Sequence, residues 1–271
     1  MRKPNRYSQI IEQIFFSHYK EGDTEVDFTR EEIQSNADTL KIPLPKNLGD
    51  LVYSFRYRAS LPASIIAKAP VDTVWIIRPI GRSKYKMIAV KNISIASNIA
   101  PNKLLAETKI PDSTPGVVSL YSMNDEQALL AKVRYNRLID IFTGVTSYSL
   151  QNHFRTTVKG MGQVETDEIY IGINRNGAHH VFPVQAKGGT DKLNIVQIEQ
   201  DLALCKEKFK GLICMAIAAQ FMSDDLIALF GFQETPEGVR LISEKHYRLV
   251  SPGELTPSDL LFYQQQPDEK I

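Results

Sequence analysis

Between residues 163 and 190 an acid, an amide and an amine fall at spacings that bring them together. Read with the two-residue period of a strand, Glu165, Asp167, Ile169 and Ile171 share one face of a first stretch. Val181, Pro183, Gln185 and Lys187 share one face of the next. Asn174-Arg175-Asn176-Gly177 between them tolerates turn geometry, so the two stretches fold back as a hairpin and set Asp167 beside Gln185 and Lys187. A carboxylate and an amide oxygen suit a hard divalent cation. A nearby ammonium orients a water or stabilises charge. The plain alternative is a salt bridge across a hairpin, which contributes little.

The flanking elements must hold this constellation in place. Residues 124–142 carry Leu129, Val133, Leu138 and Ile141 at helical spacing, and Gly144 ends that single long helix. A strand over 147–158 follows, then the two hairpin strands, a helix over 192–209 and an apolar strand over 212–219, which gives the order αβββαβ. Glu126 falls near the start of the first of these helices and Gln197 one or two turns into the second. Each has an ordinary reading, the one as a first-turn glutamate favoured by the helix dipole and the other as a surface amide. Glu168 points to the face opposite Asp167 and is expected to be solvated or paired.

This half of the chain resembles the PD-(D/E)XK nucleases, the fold of many restriction endonucleases, with Asp167 at the motif aspartate and Gln185-x-Lys187 at the place of (D/E)-x-K. The resemblance implies an α/β fold with a mixed central sheet and Mg2+, or Mn2+ in its stead, as cofactor. It implies Asp167 as the central metal ligand, with the Gln185 side-chain oxygen and the Ala186 carbonyl beside it and Glu165 as a competing ligand. Lys187 takes the lysine role, Glu126 contributes one more acid and Gln197 supports the site. One departure is plain, since Gln185 is neutral and holds a divalent metal less tightly than a carboxylate would.

The first half reads differently. Ile10, Ile11, Ile14, Phe15 and Tyr19 mark an amphipathic helix over 5–19, residues 25–28 alternate as a short strand, and Thr29 with Glu32 forms a capping box that opens a helix to Leu40. After Pro43 and Pro45 a helix spans 46–58, and two β-prone runs, 73–80 and 85–91, flank Gly81-Arg82-Ser83-Lys84. That order resembles a winged helix-turn-helix. The resemblance implies that Arg56 and Arg58 on the last helix, with Arg82, Lys84 and Lys86 on the wing, bind double-stranded DNA. Residues 53–91 hold eight basic residues against one acid, Asp72, although the whole chain carries a net charge of only +1. A solvated basic face, or a module that dimerises or docks another protein, is the alternative. The expected organisation is 1–95 for DNA binding, 96–120 as a Pro-interrupted connection and 121–271 for the nuclease.

Composition narrows the classes further. With 271 residues and 43% hydrophobic content the chain can bury real cores. Two cysteines, Cys205 and Cys214, make neither a disulfide framework nor a zinc site, and no segment reads as a signal peptide or membrane span, so a cytoplasmic protein is expected. His179 and His180 cannot both face the site from one strand. No Gly-x-Ser-x-Gly or His-Glu-x-x-His occurs, and Gly188-Gly189 is followed by no phosphate-loop lysine. The expectation is a Mg2+-dependent endonuclease of duplex DNA acting as a type II restriction enzyme, with a homodimer implied by the need to cut two strands. A repair, transposition or defence nuclease and a degenerate DNA-binding regulator are the rivals.

Overall fold

The computed structural model describes residues 7–45, 48–57, 59–91, 99–123, 125–188, 193–223, 225–236 and 238–266. Two compact units emerge. One comprises residues 1–99 with short segments at 157–164 and 194–196, and the other takes the remainder. The whole is a mixed α/β protein, and among the described residues no helix is long and apolar enough to cross a membrane.

In the first unit, helix α1 (Ser8–His18), strand β1 (Glu25–Thr29), helices α2 (Arg30–Leu40), α3 (Gly49–Tyr57) and α4 (Ala63–Ile66), and strands β2 (Thr73–Gly81) and β3 (Lys84–Lys91) follow one another. The strands form a sheet in the order β1-β3-β2. The capping box forms as the sequence predicts, Glu32 N–H donating to the Thr29 hydroxyl at 3.3 Å and Thr29 N–H to the Glu32 carboxylate at 2.8 Å. Ile10, Ile14, Phe15, Ile33, Leu51 and Met87 are fully buried together, and the Phe15 and Trp75 rings meet edge to face at 5.1 Å. The short α4, built on Ile65, lies where the sequence reading had no element.

The second unit contains strand β4 (Glu107–Pro111), helices α5 (Gly116–Tyr121), α6 (Glu126–Tyr135) and α7 (Leu138–Thr143), strands β5 (Thr146–Val158), β6 (Gly162–Ile173) and β7 (His179–Lys187), helix α8 (Ile195–Lys208), strands β8 (Ile213–Cys214), β9 (Ala216–Phe221), β10 (Leu226–Thr235) and β11 (Gly238–Val250), and helix α9 (Pro257–Gln264). Its sheet has eight strands in the order β4-β11-β10-β9-β7-β6-β5, with β8 paired to β7. β7 runs parallel to β9 and antiparallel to β6, so the sheet is mixed, and α8 makes the crossover that a parallel pair requires. The β6–β7 turn closes as expected, with the Asn174 side chain accepting from the Asn176 and Ala178 N–H groups at 3.0 Å each and Gly177 at φ +80°.

Two expectations need correction. The single helix over 124–142 is two helices, because Arg137 adopts a left-handed φ of 53° and the buried Asn136 turns its side chain to the loop at 112–114, accepting from Ser113 N–H at 2.7 Å and donating to Thr114 at 3.0 Å. The strand expected over 212–219 is interrupted at Met215, whose N–H bonds the Val181 carbonyl, and it continues as β9 to Phe221. Within the stretch read as a connection, Glu107–Pro111 is a strand hydrogen-bonded in parallel to β11.

Candidate active site

The site is built where β6 and β7 part. Their paired register runs from Ile173↔His179 to Glu168↔Val184, while β7 stays paired with β9 as far as Lys187↔Gln220. Past the last β6–β7 pair, side chains replace the ladder. The Asp167 carboxylate accepts the Ala186 N–H at 2.8 Å, and the Gln185 amide donates to the Glu165 carbonyl at 3.2 Å. Backbone groups that would otherwise be left unsatisfied at the divergence are thereby paired, and the two functional side chains are fixed by the strands they leave.

At the end of β7 the chain passes the start of α6, where Asp125 caps the helix by accepting from Ala128 N–H at 2.9 Å. A methyl group placed on Gly188 would lie 3.5 Å from the backbone there. This close approach sets Lys187 against Glu126, with Nζ 2.7 Å from Oε1. The ammonium is nearly buried and the carboxylate is more than a third exposed, so the pair meets solvent on its Glu126 side.

Burial raises the Asp167 carboxyl above its usual range, the Ala186 N–H and Lys187 pull it back, and Glu126 pushes it up again. Two carboxylates that repel each other across one ammonium leave negative charge for a cation to offset. Oxygen donors on Asp167, Glu126 and Gln185 are of the kind a hard divalent ion takes. Among the described residues, no three His, Cys, Asp or Glu side chains form a ready-made metal cage.

Gln185 is buried and held on three sides. Its amide also donates to Asp201 at 3.2 Å, and its oxygen accepts from Gln197 at a long 3.4 Å. Gln197 and Asp201 stand one turn apart on α8 and so share a face. Asp201 is wholly buried, and that burial holds its carboxyl well above the usual aspartate range against the opposing Gln185 bond, with Asp167 adding to the rise. Chain matches to family models, curated proteins and solved structures are absent.

The structure brings Asp167, Gln185, Ala186, Lys187, Glu126 and Gln197 to one place. Glu165 is engaged elsewhere, because Arg155 grips its carboxylate at 2.6 and 3.0 Å and His153 approaches it to 3.8 Å. His180 stacks on Phe182 at the far end of β7, and His179 is exposed beside it. Sequence reasoning passed over Asp201, His153 and Arg155. Helical spacing from Gln197 is the signal that marks Asp201, whereas His153, at φ +48° inside β5 with its ring 3.1 Å from Gln127, carries no sequence signal.

Of the residues expected to bind DNA, Arg82 and Lys84 are exposed on the β2–β3 turn. Arg56 is half-buried, and Arg58 lies outside the described residues. Lys86 is paired with Glu25 and stands 3.7 Å from Asp27, and Lys68 lies 2.9 Å from Glu21. Acids from 21–27 therefore offset part of the basic cluster that is counted along the chain.

Proposed function

We propose that the protein is a Mg2+-dependent endonuclease that hydrolyses phosphodiester bonds in duplex DNA, with a restriction-endonuclease-like second unit, a winged-helix first unit that binds the DNA, and the role of a type II restriction enzyme. The observation that supports it most is the meeting of Asp167, Gln185 and the Lys187–Glu126 pair at the point where β6 and β7 diverge. Asp167 and the Gln185 oxygen would hold the cation, with Glu126 at the exposed side. When bound, the cation supplies charge neutralisation at the phosphate and a more acidic water.

The chain's own groups do the rest. Lys187, held by Glu126, presents an ammonium that orients a water or meets charge growing on the phosphate. Ala186 N–H fixes one oxygen of Asp167 and so sets the direction of the other. Arg82 and Lys84 on the exposed turn suit phosphate contacts, which position DNA without reading its sequence.

Plasmid cleavage with Mg2+ tests the reading. Lys187→Ala is expected to lower the cleavage rate by about a hundredfold or more, and equal cutting by both proteins would remove the site from the chemistry. Discrete fragments support restriction, whereas a smear or branch-dependent cutting supports a repair, transposition or defence nuclease. A second reading, a DNA-binding regulator without activity, is favoured by the neutral Gln185 and its bonds to α8. Tight DNA binding with no cleavage in either Mg2+ or Mn2+ would decide for it.

A further inference from the structure

We infer that Cys205 and Cys214 form a thiol–disulfide exchange site, in which Cys214 reacts with an anionic small-molecule disulfide of the glutathione class and Cys205 then closes an internal disulfide. The inference is independent of the nuclease reading. The chain has only these two cysteines, and both are free thiols. Helix α8 carries the first and strand β8 the second, and the turn between them folds the chain back. Phe209 N–H donates to the Cys205 carbonyl at 2.9 Å, Leu212 N–H donates to the Phe209 carbonyl at 3.2 Å, and Gly211 takes a left-handed φ of +87°. The two thiols meet there in a hydrogen bond.

Cysteines used only for packing sit sealed in a core. These two line a surface cavity of about 260 Å3 together with Lys206, Phe209 and Lys210. Their exposure sets the order of the chemistry. Cys214 is partly exposed, whereas Cys205 is wholly buried. The hydrogen bond to Cys214, followed by burial, holds the Cys205 thiol far above its usual range, so Cys205 stays protonated while Cys214 is the sulfur within reach. Both lysines are exposed at the cavity. Lys206 is paired with Glu234 at 2.6 Å, and Lys210 supplies positive charge for the carboxylates of the incoming disulfide.

The Cys214 thiolate attacks one sulfur of the small disulfide, which forms a mixed disulfide and expels one small thiol. Cys205 then loses its proton, attacks the Cys214 sulfur and expels the second small thiol. Two protein thiols are thereby oxidised to one disulfide, and the small disulfide is reduced to two thiols. The new bond ties the end of α8 to β8, which pairs with β7 through Val181. Gln197 and Asp201, the residues of α8 that bond Gln185, lie two turns and one turn before Cys205, so the bond fastens the helix that braces Gln185.

Mass spectrometry of the reduced full-length protein after exposure to oxidised glutathione at neutral pH, with maleimide added to cap remaining thiols, tests this. The parent is expected to lose two hydrogen atoms, to take up no maleimide, and to regain both thiols with dithiothreitol. Cys205→Ser should stop at one bound glutathione, and Cys214→Ser should react about tenfold more slowly or less, because its remaining thiol is buried. Lys210→Glu should slow the parent reaction roughly threefold or more with oxidised glutathione, yet leave the rate with uncharged hydroxyethyl disulfide unchanged. A parent that keeps both thiols, carries a glutathione on each, or links only to a second chain would overturn the inference. An equal effect of Lys210→Glu on both oxidants would overturn the anionic ligand class. Should a cysteine variant fail to fold, the mass of the oxidised parent decides alone.

Discussion

Asp167 and Glu168 are adjacent carboxylates with separate tasks. Asp167 takes a backbone N–H at the divergence of two strands, whereas Glu168 is wholly buried with Arg134 Nη2 at 2.8 Å and Nε at 3.0 Å and the Ser149 hydroxyl on the same oxygen. Strand alternation separates the two residues, and the expectation that Glu168 is solvated or paired resolves as paired. Arg134→Ala would leave that carboxylate buried without its cation, at a cost of about 3–5 kcal/mol. Urea denaturation should show the midpoint fall with the slope unchanged, and Glu168→Gln on the same background should recover part of the loss. An unchanged midpoint would mean that water or another donor replaces the guanidinium. Asp167, Gln185 and Lys187 were legible because one period and one turn bring them together. Asp201 was not, because helical spacing groups it with Gln197 without saying which strand that face meets. Glu165 depends on β5, and the partner that engages it follows from a strand register the residues alone do not reveal.

Elements with strong local chemistry could be read directly. The Thr29 capping box, the Asn174 turn and the end of α7 at Gly144, with φ +66°, are set by residues a few positions apart. Other elements are set at a distance. β10 is apolar on both faces because it lies between β9 and β11, so it has no alternation to betray it, and β4 exists through its pairing with β11. Arg248 on β11 ties that edge, reaching Glu107 at 2.5 and 3.0 Å and Asp225 at 3.1 Å. The Arg248 bond holds the Glu107 carboxyl below its ordinary value of 4.5. A carboxyl whose folded-state pKa is lowered binds fewer protons folded than unfolded, so its stabilisation is complete above 4.5 and is lost as pH falls through the folded value. Arg248→Met is expected to cost up to about 1 kcal/mol at neutral pH, discounted for solvent exposure, and to flatten the acid limb of the stability curve. Thermal melts from pH 7 to pH 3 read both effects, and parallel curves for the two proteins would detach Arg248 from that limb.

The two hydrophobic cores have no residue in common. Phe15, Ile14 and Met87 belong to one, and Leu129, Phe182 and Leu229 to the other. The order αβββαβ was legible at this scale because each element carries its own period, but the sheet grows beyond that order through β4, β10 and β11, which only long-range pairing defines. Separate cores imply that damage to one need not unfold the other. Phe15 is fully buried and packs edge to face on Trp75. Phe15→Ala removes that ring at a cost of about 3–5 kcal/mol, most of it cavity and lost transfer energy. Calorimetry of the variant should then resolve an early transition that quenches or shifts the fluorescence of Trp75, the sole tryptophan, followed by a second near the parent temperature. Because every described group of the candidate active site lies in the second unit, Mn2+ should still raise the later transition and leave the earlier one in place. A single transition in which Trp75 fluorescence and the Mn2+ effect are lost together would show that the two cores fold as one cooperative body.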